Sequence, residues 1–258
     1  MDQSEKARQF HALHVKGAPL VLYNIWDAGS AAAIVKAGAP AVATGSWSVA
    51  AALGFQDGEA VPLDVVEQVS RQIAGAVDVP VSIDFEGGYA AAPDAVAQNV
   101  ARIVGAGAIG INFEDQVVGG EGLYGVSDQC ARIAAIRSRA ETLGVPLFIN
   151  ARTDLFLKQP DRSRHSDILD EAKQRASAYQ DAGASGFFAP ALVDETLIAD
   201  LCAAASLPVN IMMMGGAPTI ERLGALGVAR VSHGPGPYRQ AMAMLTEDAG
   251  NVYAAASA

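Results

Sequence analysis

Two short apolar runs in this chain end in acid. One is Val81-Ser-Ile-Asp84-Phe-Glu86-Gly-Gly-Tyr89, the other Gly110-Ile-Asn112-Phe-Glu114-Asp115. Side chains on a strand alternate faces, so Asp84 and Glu86 are expected on one face, and Asn112 and Glu114 likewise. Three carboxylates and an amide then converge from two strand ends that can be neighbours. Carboxylates gathered in this way repel one another and resist desolvation unless a positive charge stands among them. A hard divalent cation, Mg2+ or Mn2+, suits the set, because such ions take oxygen ligands and keep water positions open. Taken singly, each acid can also be a strand-end cap or a solvated turn residue. A third run, Ile149-Asn150-Ala-Arg152-Thr-Asp154, carries a guanidinium at the end of another apolar segment. A fixed guanidinium near a metal site matches a carboxylate, phosphate or phosphonate on a substrate. Its alternative is a structural ion pair with Asp84 or Glu114.

These runs sit in a chain that alternates apolar strands with helical patterns. A leading helix is expected over residues 3–15. Eight strands follow, near Pro19–Trp26, Ala41–Thr44, Val81–Asp84, Gly110–Glu114, Pro146–Asp154, Gly186–Pro190, Pro208–Met214 and Val228–Ser232. Helices lie between them at about 28–36, 63–76, 94–104, 128–143, 166–181 and 194–205, with another opened by Gly215, Gly216 and Pro218. The stretch from Gly45 through Glu59 is expected to be loop, as is the glycine-rich run Gln116–Ser127. A weak repeat supports the alternation: Ala37-Gly-Ala, Ala106-Gly-Ala, Ala182-Gly-Ala and Leu226-Gly-Val each end a helix and feed an apolar strand. Strands alternating with helices imply a parallel sheet, and one (β/α)8 TIM-type barrel spanning residues 1–258 is the economical α/β architecture. In such a barrel, function belongs at the carboxyl ends of the strands. Gly45, Ser46, Asp57, Asp84, Glu86, Asn112, Glu114, Asn150, Arg152 and Asn210 all fall there. Gly215–Gly216 and Gly234–Pro–Gly236 occupy the barrel's usual phosphate-binding place, although turn geometry alone accounts for them.

Composition bounds the partners. The 258 residues are 51% hydrophobic with a formal charge of −10. No basic cluster stands out, which disfavours nucleic acid and anionic membranes. No run approaches the roughly 18 apolar residues a membrane span needs, and the polar start lacks a signal core. Cys130 and Cys202 have no metal-type spacing, so two free thiols and a cytoplasmic location are expected. No lysine except Lys158 lies near a strand end, which disfavours a Schiff-base aldolase.

From about Tyr23 to Arg239 the chain resembles the isocitrate lyase and phosphoenolpyruvate mutase superfamily. Asp84-Phe-Glu-Gly-Gly-Tyr89 is similar to its Asp-x-Asp-x-Gly-Tyr motif, and Gly110-Ile-Asn-Phe-Glu-Asp115 to its Gly-(Ile/Val)-x-(Ile/Leu)-Glu-Asp. Ile149–Asp154 matches its fifth-strand signature and Leu53-Gly-x-x-Asp57 its second-strand loop. The resemblance implies Mg2+ held mainly by Asp84, with Asp57, Glu86 and Glu114 acting through bound waters. It implies that backbone groups of Gly45, Ser46 and Trp47, together with Arg152, hold the oxyacid end of the substrate. It also implies a homodimer or homotetramer that exchanges the eighth helix. The chain after Pro237 is about one helix long, so that helix is expected to be swapped or shortened.

Departures from the family narrow the expectation. The lyases' Lys-(Lys/Arg)-Cys-Gly-His run is replaced by Val118-Gly-Gly-Glu-Gly-Leu-Tyr124. Their Asn-x-(Ser/Thr) and sixth-strand Glu become Asn210-Ile-Met212 and Pro190, which argues against a tricarboxylate. Gln116 stands where the mutase has lysine, Gly45-Ser46 inverts the usual Ser-Gly, and Glu86 replaces the second Asp. The expectation is a Mg2+-dependent lyase cleaving or forming a C–C bond in a small 2-oxo or 2-hydroxy acid through an enolate. Arg152 is assigned to substrate anchoring and charge stabilisation, with Glu121 and Tyr124 as proton-transfer candidates and Asn112 and Asn210 as substrate contacts. P–C chemistry on a phosphonate, as in a phosphonomutase or phosphonopyruvate hydrolase, is the alternative. A metabolite-binding barrel without turnover is the second.

Overall fold

The computed structural model describes residues 1–256. Eight parallel strands run in the order β1-β8-β7-β6-β5-β4-β3-β2: β1 Leu20–Leu22, β2 Val42–Ala43, β3 Val81–Asp84, β4 Gly110–Glu114, β5 Phe148–Arg152, β6 Gly186–Phe188, β7 Val209–Met212 and β8 Arg230–Ser232. A parallel bridge between Ile25 and Thr44 joins the two ends, with Ile25 N donating to Ala43 O and Gly45 N to Ile25 O. The result is a (β/α)8 barrel of TIM type. Outward residues such as Ile83, Ile111, Phe113, Ile149 and Val231 are at most 2% exposed beneath the helices. Their burial is the main source of stability.

The helices are α1 Gln3–Ala12, α2 Ala28–Lys36, α3 Ser46–Leu53, α4 Leu63–Ala76, α5 Pro93–Gly105, α6 Val126–Thr142, α7 Leu155–Lys158, α8 Leu169–Asp181, α9 Glu195–Ala204, α10 Ile220–Ala225 and α11 Gly236–Ala256. The helix-ending repeat has a backbone cause. Gly38, Gly107, Gly183 and Gly227 all adopt φ between 93° and 106°, which side chains avoid. At Gly107 an added Cβ would also stand 2.7 Å from Ala74 Cβ.

α1 closes the amino-terminal end of the barrel. Phe10 packs edge-on to Phe148 at 5.3 Å, and His14 stacks on the same ring at 4.0 Å. His14 is therefore a packed residue.

Three local expectations are corrected. The segment after β2 is α3, not loop: Gly45 caps it, Ala50–Ala52 extend it, and Gly54 at φ 79° ends it. The helix expected from Ser166 begins as a 3-10 turn, Arg162–Ile168, before α8. The period of two does not carry past Asp84, because Glu86 takes φ 48° and leaves the strand direction.

Candidate active site

Strand register brings the acidic runs together. Asp84 pairs with Asn112, Asn112 with Asn150, and Glu114 with Arg152. At the carboxyl ends lies a cavity of about 160 Å³. Its lining includes Asn24, Gly45, Ser46, Trp47, Asp57 and Asp84 on one side, then Asn112, Arg152 and Ser232. The opposite wall is apolar, from Leu157, Phe188, Pro190 and Met212.

Arg152 is largely buried and already shared. Its Nη1 stands 2.9 Å from Glu114 Oε2, while Nε and Nη2 donate to Asp154 at 2.6 and 3.0 Å. The structural ion pair and the pocket-lining role therefore coexist. Asp84 Oδ2 accepts from Ser46 N at 3.0 Å, and its backbone N donates to Thr44 Oγ1 at 2.8 Å. Asp84 Oδ1 is buried without any hydrogen-bond partner among the described residues. A buried, partnerless carboxylate oxygen is costly. Among the described residues no three Asp, Glu, His or Cys side chains already stand in direct ligating arrangement. The donor set fits a cation gripped by Asp84, with the neighbouring acids acting through its waters.

Glu86 faces a smaller cavity shared with Asp84, Tyr89 and Ser46. Its Oε2 accepts from Glu59 N at 2.7 Å, and Glu59 Oε1 accepts from Tyr89 N at 2.7 Å. This clasp fastens the Asp57–Glu59 turn to the end of β3, and it holds Glu59, Glu86 and Tyr89 at positive φ. Such strain clusters where a site must be held in one shape. Burial, then Asp57 and Asp84, push the Glu86 carboxyl up to about 8. Glu114 is also pushed up, since burial outweighs the Arg152 charge that Asp154 shares.

An acid with a raised folded pKa contributes stability fully below its ordinary value near 4.5, and loses it as pH rises through about 8. In EDTA, the melting temperature is expected to fall by several degrees between pH 6 and 9. Glu86→Gln should flatten that slope, and scanning calorimetry across the window reads both.

Other proposed residues lie farther off. Gly45 and Ser46 line the cavity, but their backbone N–H groups are spent on Ile25 O and Asp84, which departs from their expected role. Trp47, in the first turn of α3, keeps an N–H without an intrahelical acceptor. Asn210 is buried against Ser232 at 3.1 Å and does not line the cavity. Glu121 is exposed on the loop after β4. Tyr124 lies under the Arg132 guanidinium, 4.1 Å from its ring centroid, in a separate cavity with Glu59 and Gln116. Neither reaches the pocket in this conformation. Gly215 is held by Arg162, whereas Gly234 and Pro235 do line the pocket. His233 leans on Tyr23 at 5.0 Å, and burial lowers its pKa.

Asn24 escaped the sequence reading. It lines the cavity, and its Oδ1 accepts from His233 N and Gly234 N, both at 2.8 Å, tying β1 to the loop after β8. A lone amide inside the apolar run Val21-Leu-Tyr-Asn24-Ile-Trp26 was the available signal.

A family model for phosphoenolpyruvate phosphomutase matches residues 10–253. An uncharacterized Mycobacterium tuberculosis protein is 38% identical over 230 residues, covering 89% of this chain and 83% of its own. The solved structure of a proposed phosphonomutase from Burkholderia cenocepacia superposes with TM-score 0.94 at 46% identity, covering 97% of this chain and 99% of its own. A phosphonopyruvate hydrolase structure in complex with oxalate and Mg2+ superposes with TM-score 0.84 at 19% identity, over 97% of this chain and 88% of its own. That last likeness is one of fold.

Proposed function

This chain belongs to the phosphoenolpyruvate phosphomutase family, and on that premise we propose that it is a Mg2+-dependent lyase. It breaks or forms a C–C bond beside the carbonyl of a small 2-oxo or 2-hydroxy acid, through an enolate of pyruvate type. The observation that carries the reading is Asp84 Oδ1, a buried acceptor without a partner at the edge of a small, half-apolar pocket. Asp84 would hold Mg2+, with Asp57, Glu86 and Glu114 acting through its waters. The ion supplies a Lewis acid for charge developing on the substrate's carbonyl oxygen.

The chain's own groups do the rest. Arg152, locked by Glu114 and Asp154, presents a fixed charge to the substrate carboxylate. The free N–H of Trp47 is a second donor. In oxaloacetate, the bond to the departing carboxylate breaks, CO2 leaves, and the electron pair becomes the enolate of pyruvate. A proton added at carbon completes the product. Leu157, Phe188, Pro190 and Met212 keep that enolate from bulk water. Glu121 and Tyr124 are the proton-transfer candidates if the glycine-rich loop closes over the pocket.

P–C chemistry is the second reading, and the 46%-identical Burkholderia neighbour favours it. Against it, Arg152 is the one cationic side chain lining the pocket, and two carboxylates already share it. A phosphonate dianion asks for more positive charge than a carboxylate. The discriminating experiment measures pyruvate and phosphoenolpyruvate formed from oxaloacetate, 2-methylisocitrate, small 2-hydroxy diacids and phosphonopyruvate, with Mg2+ or EDTA. Release from a carbon acid above the metal-only background supports the lyase. Pyruvate or phosphoenolpyruvate from phosphonopyruvate alone overturns it in favour of P–C chemistry, and binding without either product favours a metabolite-binding barrel.

The proposal includes a homo-oligomer. α11 spans 21 residues with Pro237 its buried residue, and Met244 and Leu245 are 58% and 62% exposed. A helix with this much uncovered apolar surface is best covered by a second copy of the chain. Light scattering is expected to give a dimer or tetramer, and Met244→Asp with Leu245→Asp to give a smaller species. No helix of the described residues is long and apolar enough to cross a membrane.

A further inference from the structure

Beneath the pocket the barrel interior is polar, and one of its residues is a cation without a carboxylate bonded to it. Arg230 on β8 is fully buried. Its Nη2 donates to Asn112 Oδ1 at 3.1 Å, while Nε and Nη1 have no partner among the described residues. Asn150 Nδ2 donates to the same Asn112 oxygen at 2.9 Å. A guanidinium carries donors and no acceptor, so the atom it touches on Asn112 must be oxygen. The other end of the amide, Nδ2, is thereby turned away from Arg230. It donates to no group among the described residues, and Asn112 lines the pocket beside Arg152 and Asp84.

We infer that Arg230, seconded by Asn150, is a positioning residue that holds Asn112 with both amide hydrogens available to a substrate oxygen in the pocket. This rests on the lyase reading and deepens it: the substrate class is one that places a second oxygen next to the anchored carboxylate, as a 2-oxo acid does. A freely rotating amide could present its oxygen instead and repel that atom. Burying a guanidinium with two of its nitrogens unsatisfied is expensive. Methionine would fill the space without that cost, so what the cation adds at this position is its donors. Burial draws the Arg230 pKa down to about 9, with Asp84 pulling the other way, so it is charged at neutral pH.

The test uses oxalate, a planar dianion shaped like the enolate of pyruvate, titrated calorimetrically with Mg2+ into wild type, Arg230→Met, Arg230→Lys, Asn112→Ala and the double variant Arg230→Met/Asn112→Ala. Losing an oriented donor should weaken binding by about 10- to 100-fold in Arg230→Met and in Asn112→Ala. Arg230→Lys keeps an N–H donor for the same Asn112 oxygen and should restore part of the affinity lost in Arg230→Met. The double variant should bind no worse than the weaker single one, because both changes remove one device. If Arg230→Met does not fold, Asn150→Ala removes the other donor and should weaken oxalate in the same direction. Wild-type affinity in the methionine or Asn150→Ala variant, or losses that add in the double variant, would overturn the inference while leaving the lyase reading intact. Wild-type protein that ignores oxalate with Mg2+ would sink the lyase reading and this inference with it.

Discussion

Asp84→Ala is expected to lower metal-dependent turnover by about 10³-fold or more, the scale of several kcal/mol of transition-state charge stabilisation. Its effect on folding should be opposite in character. The change leaves Ser46 N without its acceptor, which costs about 1 kcal/mol. It also deletes a charge that raises the Glu86 carboxyl. These offset, so the melting temperature in EDTA should stay near that of wild type while the stabilisation by Mg2+ disappears. Thermal denaturation with and without Mg2+, beside initial rates, separates the two effects. A variant that still gains stability from Mg2+ would place the metal elsewhere.

Arg152→Met should damage stability and function together. Glu114 and Asp154 are 6% and 3% exposed at their side chains and rely on this guanidinium. Removing one partner of a buried ion pair costs about 3–5 kcal/mol, a loss of roughly 10 °C for a domain of this size. Turnover should fall at least about 100-fold, because the substrate carboxylate loses its fixed anchor. Arg152→Lys distinguishes the roles. A lysine restores charge but cannot hold Asp154 through two nitrogens while reaching Glu114. It should recover part of the stability and little of the activity. Urea denaturation and kcat/KM for both variants check this. Equal recovery of the two would mean that charge alone is needed.

Much of the site was legible because barrel strands write their chemistry in a short code. Asp84, Asn112, Glu114 and Arg152 stand at strand ends, and the register delivers them to one place. The helix-ending glycines were equally readable, since their φ values leave few alternatives. Legibility failed where a tertiary contact overrode the local pattern. Glu86 was expected beside Asp84 by alternation, but the Glu59 clasp bends it into its own cavity. Gly45 and Ser46 looked like free backbone donors, although barrel closure and Asp84 use them first. Glu121 and Tyr124 offer an acid and a phenol on a glycine-rich loop, yet the loop folds back through the Gln116–Leu123 bridge and seats Tyr124 on Arg132. Arg230 stayed hidden because an arginine in an apolar strand shows its charge but not which atom it will meet across the barrel.

The most direct test of the account is calorimetric titration of oxalate into the wild-type protein with Mg2+ and, separately, with EDTA, repeated for Asp84→Ala. Binding with Mg2+ that vanishes in EDTA and in the variant is the predicted result. Oxalate binding unchanged by EDTA, or retained in Asp84→Ala, would contradict a metal site built on Asp84.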